Sequence, residues 1–223
     1  MSYCLLDNES AQLCMAIRMG TISDIQALVD AGVAVNSADQ NGETALHVAA
    51  WVGEQTMTQE LLDSGAETNV QNQNGQTPLH IAAGRGHDTV VHCLLRDGCD
   101  VNTKTKYTEM TALHLASQNG HTQVVRLLLQ YGADVDTQDV VYKTADFYAA
   151  DAEIAQLLGK HRAMLEEQRQ AIEAEKIAAL NAAEHNKAML KDKKMKYSKD
   201  HRKIMKKNVF DRLTRTKSQL LKD

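Results

Sequence analysis

Proline occurs once in the 223 residues, at Pro78, and glycine only 12 times. That scarcity excludes collagen, proline-rich linkers and mucin-like stalks. Aromatic side chains number nine, too few for a β-sandwich or an aromatic-lined barrel. No run approaches the roughly 18 to 20 apolar residues that cross a bilayer, and the first basic residue, Arg18, comes too late to open a secretory signal. A soluble protein of the cytoplasm or nucleus is expected. Cysteine is sparse as well: Cys4, Cys14, Cys93 and Cys99 form no Cys-x-x-Cys and have no histidine cluster at zinc-ligand spacing, so they read as thiols packed as small hydrophobes. Neither Gly-x-Ser-x-Gly nor His-Glu-x-x-His occurs, and Gly84-Arg85-Gly86-His87 lacks the spacing and terminal Lys-Ser/Thr of a P-loop. No enzymatic activity, cofactor, metal or small-molecule substrate is expected.

What is present is periodic. Gly20, Gly53, Gly86 and Gly120 step by 33, 33 and 34 residues, as do Gly32, Gly65, Gly98 and Gly132; with Gly42 and Gly75, one period accounts for ten of the 12 glycines. The same step relates Thr44-Ala45-Leu46-His47, Thr77-Pro78-Leu79-His80 and Thr111-Ala112-Leu113-His114. Threonine there can cap the exposed N–H groups of a helix start, and Pro78 fits a first turn because its missing donor has no partner to lose. A first helix is thus predicted to begin near Ala45, Pro78 and Ala112. Small residues follow (Ala49, Ala50, Ala82, Ala83, Ala116), which lets neighbouring helices approach closely. Leu61-Leu62, Leu94-Leu95 and Leu127-Leu128-Leu129 fill the space behind, and the glycine after each fits a left-handed C-cap.

A period of about 33 residues with Thr-Pro-Leu-His-x-Ala is similar to the ankyrin repeat family, and several motif positions hold phase over three units. The resemblance implies an all-α solenoid of helix-turn-helix units joined by short β-hairpin loops. It predicts an array over residues 9–158: a degenerate unit 9–38, units 39–71, 72–104 and 105–138, and a truncated unit 139–158, where Leu157-Leu158 follow Thr144 too soon for the usual glycine turn. Atypical end units are what a finite solenoid requires. Residues 1–8 precede the array as an N-terminal extension. His47, His80 and His114 match the histidine that in this family hydrogen-bonds between adjacent units. Units about 10 Å apart cannot share a metal ion through bonds of about 2 Å.

The family's partners usually meet the hairpin tips and the concave face of the first helices. Carried over by phase, those positions are Gln40, Asn41 and Glu43; Trp51 and Val52; Gln73, Asn74 and Gln76; Arg85; Tyr107 and Met110; Gln118 and Asn119; and Tyr131. Trp51, at a first-helix end, reads either as an exposed aromatic anchor for a protein partner or as a ring folded over the next unit. The hairpin at Lys104–Met110 is one residue longer and lacks the glycine found at Gly42 and Gly75.

After Lys160 there is neither glycine nor proline, which favours helix: a connector over 159–186 and a basic tail over 187–223. Leu158, Leu165, Ile172 and Ala179 recur every seven residues like one seam of a coiled coil, but Asn186 and Lys193 end that series. An unbroken helix of this length is unexpected for a monomer, and Ser198 and Asn208 read as restart points for shorter helices. The formal charge of −4 divides into −11 for residues 1–150, −3 for 151–186 and +10 for 187–223. Two clusters hold most of the positive charge: Lys191, Lys193, Lys194 and Lys196, then Arg202, Lys203, Lys206 and Lys207. They admit four readings: a partly disordered solvated extension; a dock for a protein, a second copy or the acidic repeats; an amphipathic segment (Ile204, Met205, Val209, Phe210, Leu213) for an anionic membrane or a calmodulin-type groove; and a nuclear import signal or nucleic-acid contact. The function expected is a protein-protein interaction adaptor with a basic helical tail as second element; the alternative is membrane, calmodulin-type or nucleic-acid binding driven by the tail.

Overall fold

The computed structural model describes the backbone of residues 9–20 and 22–220 and the side chains of residues 12–20 and 23–209. The expected extension 1–8, Cys4, and the side chains of Phe210 and Leu213 lie outside the described residues. Among the described residues nine α-helices follow in order: α1 (Glu9–Met19), α2 (Ile22–Asp30), α3 (Ala45–Val52), α4 (Gln55–Asp63), α5 (Pro78–Arg85), α6 (Asp88–Arg96), α7 (Ala112–Gln118), α8 (Thr122–Gln130) and α9 (Ala152–Leu220), with a 3-10 helix at Ala145–Tyr148 before the last. The starts at Ala45, Pro78 and Ala112 are those the threonine signals predict. No strand occurs among the described residues. The chain divides into two units, Met1–Met164 and Leu165–Asp223.

In the first unit, α1, α3, α5, α7 and the 3-10 helix pack in series as one layer, and α2, α4, α6 and α8 as a second. Alanine sets the spacing of the first layer: Ala49, Ala50, Ala82, Ala83 and Ala116 are all fully buried, so adjacent helices meet almost backbone to backbone. Leu46, Leu79 and Leu113 are buried within it, and Leu61, Leu94 and Leu128 sit between the layers at full burial. Each such side chain contributes about 2 to 3 kcal/mol.

Polar groups fix the register. Thr44, Thr77 and Thr111 are the N-caps of α3, α5 and α7, and the histidine three residues on closes a capping box in place of the usual Glu or Gln. The backbone N–H of each threonine donates to the histidine Nδ1 at 3.1 to 3.2 Å. With Nδ1 an acceptor, the proton sits on Nε2, which donates to a carbonyl of the next unit: His47 to Gln76, His80 to Met110, His114 to Lys143, at 3.0 to 3.2 Å. One neutral imidazole therefore caps its own helix and ties two units together.

The hairpins are held by a second repeated device. Asp39 Oδ1 accepts the N–H groups of Asn41 and Glu43, Asn72 Oδ1 those of Asn74 and Gln76, and Asp139 Oδ1 those of Val141 and Lys143. In the longer third hairpin, Thr105 Oγ1 takes over by accepting from Met110 N. Two residues before each capping threonine the chain turns left-handed. Gly42 and Gly75 supply that turn with φ of 76° and 74°, whereas Glu109 and Tyr142 adopt it at 53° and 59° despite carrying a side chain. Tyr142 is 81% exposed. Replacing it by glycine is expected to raise unfolding stability by about 1 kcal/mol, the usual cost of a β-carbon in this region; urea titration would show it.

The last array unit is closed by α9. Ile154 and Leu158 of its first turns are fully buried. Arg162 then clamps the unit: its guanidinium bonds Asp136 Oδ1 at 2.9 Å, both carboxylate oxygens of Asp146 at 3.0 and 3.2 Å, and the Val135 carbonyl at 3.1 Å. That guanidinium holds the Asp146 carboxyl down at about 2.

The second unit corrects one expectation: helix runs unbroken through Ser198 and Asn208 to Leu220. With no proline or glycine after Gly159 nothing interrupts the ladder, and Ser198 engages its own helix by accepting from Arg202 four residues on. From Glu166 to Val209 every residue but Ser198 is exposed. No helix among the described residues is long and apolar enough to cross a membrane.

Candidate protein-binding surface

First-helix ends and hairpin tips build this surface. α3 is buried from Ala45 to Ala50 and opens only at its C-terminal end, where Gly53 ends it with φ 88° and Trp51 in the last turn stands out at 53% exposure. Arg85, at the end of α5, lays its guanidinium over the indole with Cζ 4.2 Å from the ring centroid. That geometry is a cation–π contact, which at an exposed site contributes about 0.5 to 1 kcal/mol and restricts both side chains. Beneath the pair, His87 Nε2 bonds the Trp51 carbonyl at 3.2 Å.

Trp51 and Arg85 border an open concavity of about 540 Å³ lined by Arg18, Glu43, His47, Val48, Trp51, Val52, Ile81, Arg85 and His87. Val48, Val52 and Ile81 give it an apolar component, and Arg18, Glu43 and Arg85 bring charge to it. His47 is committed to its cap and to Gln76, and burial lowers its pKa. His80 is driven down to about 4 and His114 is lowered, again chiefly by burial. Among the described residues no group of three or more His, Cys, Asp or Glu is arranged to hold a metal ion. Cys93 is buried, and burial pushes the Cys14 and Cys99 thiols up to about 11 and about 12, well above the range of a reactive thiolate.

The hairpin tips form a ladder along one edge of the array. Gln73 N donates to the Asn41 carbonyl at 2.9 Å, Lys106 N to Asn74 at 3.0 Å, and Val140 N to Thr108 at 3.0 Å. Gln40, Asn41, Gln73 and Asn74 are exposed on it, with the Gln73 amide also bonded to the Gln40 carbonyl. Tyr107 stands 64% exposed, Lys106 Nζ 5.4 Å from its ring centroid. Gln118 and Asn119 are exposed at the end of α7, and the Asn119 amide donates to the Gly84 carbonyl at 2.8 Å.

Two expected contact residues stand elsewhere. Met110 is only 9% exposed: it closes the third hairpin, its N–H and carbonyl taken by Thr105 and its carbonyl also by His80, so its side chain turns into the core. Tyr131 follows α8 and meets His92 of α6 edge-on at 6.3 Å, which places it with the second helices. Glu43, Trp51 and Arg85, by contrast, come together at the concavity. Arg18, Ile81 and His87 join them without having been singled out. Arg18 precedes Trp51 by 33 residues and Ile81 follows Val48 by the same step, so the period itself held the signal for both.

No curated protein sequence matches the chain. A family model described as ankyrin repeats (3 copies) matches residues 3–72 and 52–139, more than half of the chain. With the threonine–histidine caps, the left-handed glycines and the two helical layers, that match makes this chain a member of the ankyrin repeat family.

Proposed function

We propose that the protein is a non-catalytic adaptor that grips a protein partner at the first-helix concavity and along the hairpin tips. Ankyrin repeats are in general protein-protein interaction modules, and the observation that carries the reading here is the Trp51–Arg85 pair. A half-exposed indole, steadied by a guanidinium at the edge of an open concavity, joins the two side-chain types that most often dominate interface energetics. The exposed amides of Gln40, Asn41, Gln73, Asn74 and Gln118, with Tyr107, offer the adaptable polar rim around it. The setting proposed is the cytoplasm or nucleus.

Trp51→Ala is expected to weaken partner binding by more than about 1 kcal/mol while shifting the unfolding midpoint little, because half of the ring already faces water. Partners captured by the intact chain, then tested by titration against this variant, decide the matter. A large loss of stability with unchanged affinity would assign Trp51 to packing.

The tail is the second proposed element, and its exposed lysines and arginines at 191, 193, 194, 196, 202, 203, 206 and 207 support it. If nucleic acid or anionic lipid were its ligand, binding would be steeply salt-dependent and would vanish on deletion of residues 187–223. Retention of full affinity in that deletion would remove this alternative.

A further inference from the structure

Because α9 is one continuous helix, side chains far apart in sequence hold fixed positions around its axis, and the apolar seam that stops at Asn186 resumes. Leu165, Ile172 and Ala179 step by seven; one step of four leads to Ala183; Leu190, Tyr197 and Ile204 follow by sevens again. The seven residues make 11 turns at about 3.55 residues per turn, between the 3.5 of a left-handed coiled coil and the 3.6 of a straight helix. They therefore share one stripe. Ile172, Leu190, Tyr197 and Ile204 stand 55%, 61%, 76% and 57% exposed on it.

The seam is also close to a palindrome. About a point between Glu184 and His185, Leu165 mirrors Ile204, Ile172 mirrors Tyr197, and Ala179 mirrors Leu190, while Ala183 mirrors Asn186. Charge inverts about the same point. Residues 165–184 hold five Glu against one Arg and one Lys, a net −3; residues 185–204 hold eight Lys or Arg against two Asp, a net +6. A helix of this length in water needs either packing or a lattice of i,i+4 ion pairs. Within its exposed stretch Lys176 lies 3.9 Å from Glu173, a loose i,i+3 pair.

We propose that α9 pairs with α9 of a second copy, antiparallel, about a two-fold axis between Glu184 and His185. A parallel pair would also match the seam to itself but would stack +6 on +6 and −3 on −3; antiparallel pairing sets each acidic half against a basic one. The symmetry pairs flanking groups too. Glu175 and Lys193 each lie three residues after a seam residue, hence on the same flank, and the axis brings Glu175 of one chain to within one residue's rise, about 1.5 Å, of the level of Lys193 of the other. Lys176 and Lys194, each four residues after a seam residue, meet as like charges on the opposite flank. Ala178, Ala179, Ala182 and Ala183 near the axis allow a close approach, with Asn186 of one chain opposite the small Ala183 of the other. The pairing uses only the second unit and is independent of the groove reading.

Sedimentation equilibrium of the intact protein at low and high salt, with zero-length carbodiimide cross-linking and mass spectrometry of the dimer band, tests it. A concentration-dependent dimer that weakens in salt is expected, with Glu175 joined to Lys193. That link cannot form within one chain, since 18 residues of helix separate the two by about 27 Å. Ile172→Asp should weaken dimerisation at least tenfold, and Lys176→Glu, which turns the like-charge encounter into an attractive one, should tighten it severalfold at low salt. Neither residue belongs to the array, so unfolding of the repeats should not change. A monomer up to about 100 µM, links joining like-numbered acidic and basic segments in parallel, or a dimer indifferent to both substitutions would overturn the proposal.

Discussion

Lowering the pH from 7 towards 4 is expected to unfold the repeat array, well before most carboxylates protonate. His47, His80 and His114 are buried and neutral, and each accepts a backbone N–H at Nδ1. Protonating Nδ1 abolishes that acceptor and places a charge at the junction of two units. Burial lowers all three pKa values from 6.5, that of His80 to about 4. A folded-state pKa below the unfolded one means that the unfolded chain takes up the proton first. The stability contribution is complete above about pH 6.5 and drains away as pH falls through the window down to the folded value. For His80 alone this is about 3 kcal/mol at about 1.4 kcal/mol per pH unit, and His47 and His114 add in the same direction. Urea titrations followed by Trp51 fluorescence at pH 7.5, 6, 5 and 4.5 should show a falling midpoint. His80→Gln should begin less stable and slope less steeply. A midpoint constant from pH 7 to 5 would contradict the neutral-histidine assignment. The Asp146 contribution, whose folded pKa is depressed, is lost only as pH falls below about 4 towards about 2.

Gly75→Ala is expected to cost about 3 kcal/mol or more and to disorder the middle of the hairpin ladder. Two causes add. At φ 74° a β-carbon costs about 1 to 2 kcal/mol. It would also lie 2.4 Å from the Lys106 backbone N and 2.8 Å from Lys106 Cβ, so the third hairpin must shift and the Lys106-to-Asn74 bond must stretch. Gly65→Ala separates the terms, because Gly65 has φ 84° but nothing within 4 Å of an added Cβ. The Gly65 variant should lose only the conformational part, and hydrogen exchange at the tips should accelerate in the Gly75 variant alone. Equal losses in the two would show that tip-to-tip packing contributes little.

These two devices were legible in the sequence to different depths. The period places Thr44, Thr77 and Thr111 and the histidines three residues later, and one helical turn of separation dictates that each pair can close a cap. That Asp39, Asn72 and Asp139 each gather two N–H groups of their own hairpin follows the same spacing but is not legible in it, since short polar residues in loops look alike until a turn is built around them. Met110 and Tyr107 are both large residues of one hairpin and look alike in the sequence. Only the built hairpin separates them, with Met110 bonded to Thr105 through its N–H and carbonyl, its carbonyl also accepting from His80 of the preceding unit, and Met110 9% exposed where Tyr107 is 64%.

The sequence by itself determined the repeat, the helix starts, the left-handed turns at glycine and the separation of charge along the chain, because each depends on residues within one period of one another. Tertiary structure decided what depends on distance through space. It laid Arg85 on Trp51 across two units, turned Met110 in and set Tyr131 among the second helices, and fastened Arg162 to Asp136 and Asp146. Continuity of α9 decided the rest: a sequence names which residues are apolar or charged, but only an unbroken helix of fixed pitch makes Leu165 and Ile204 ends of the same face.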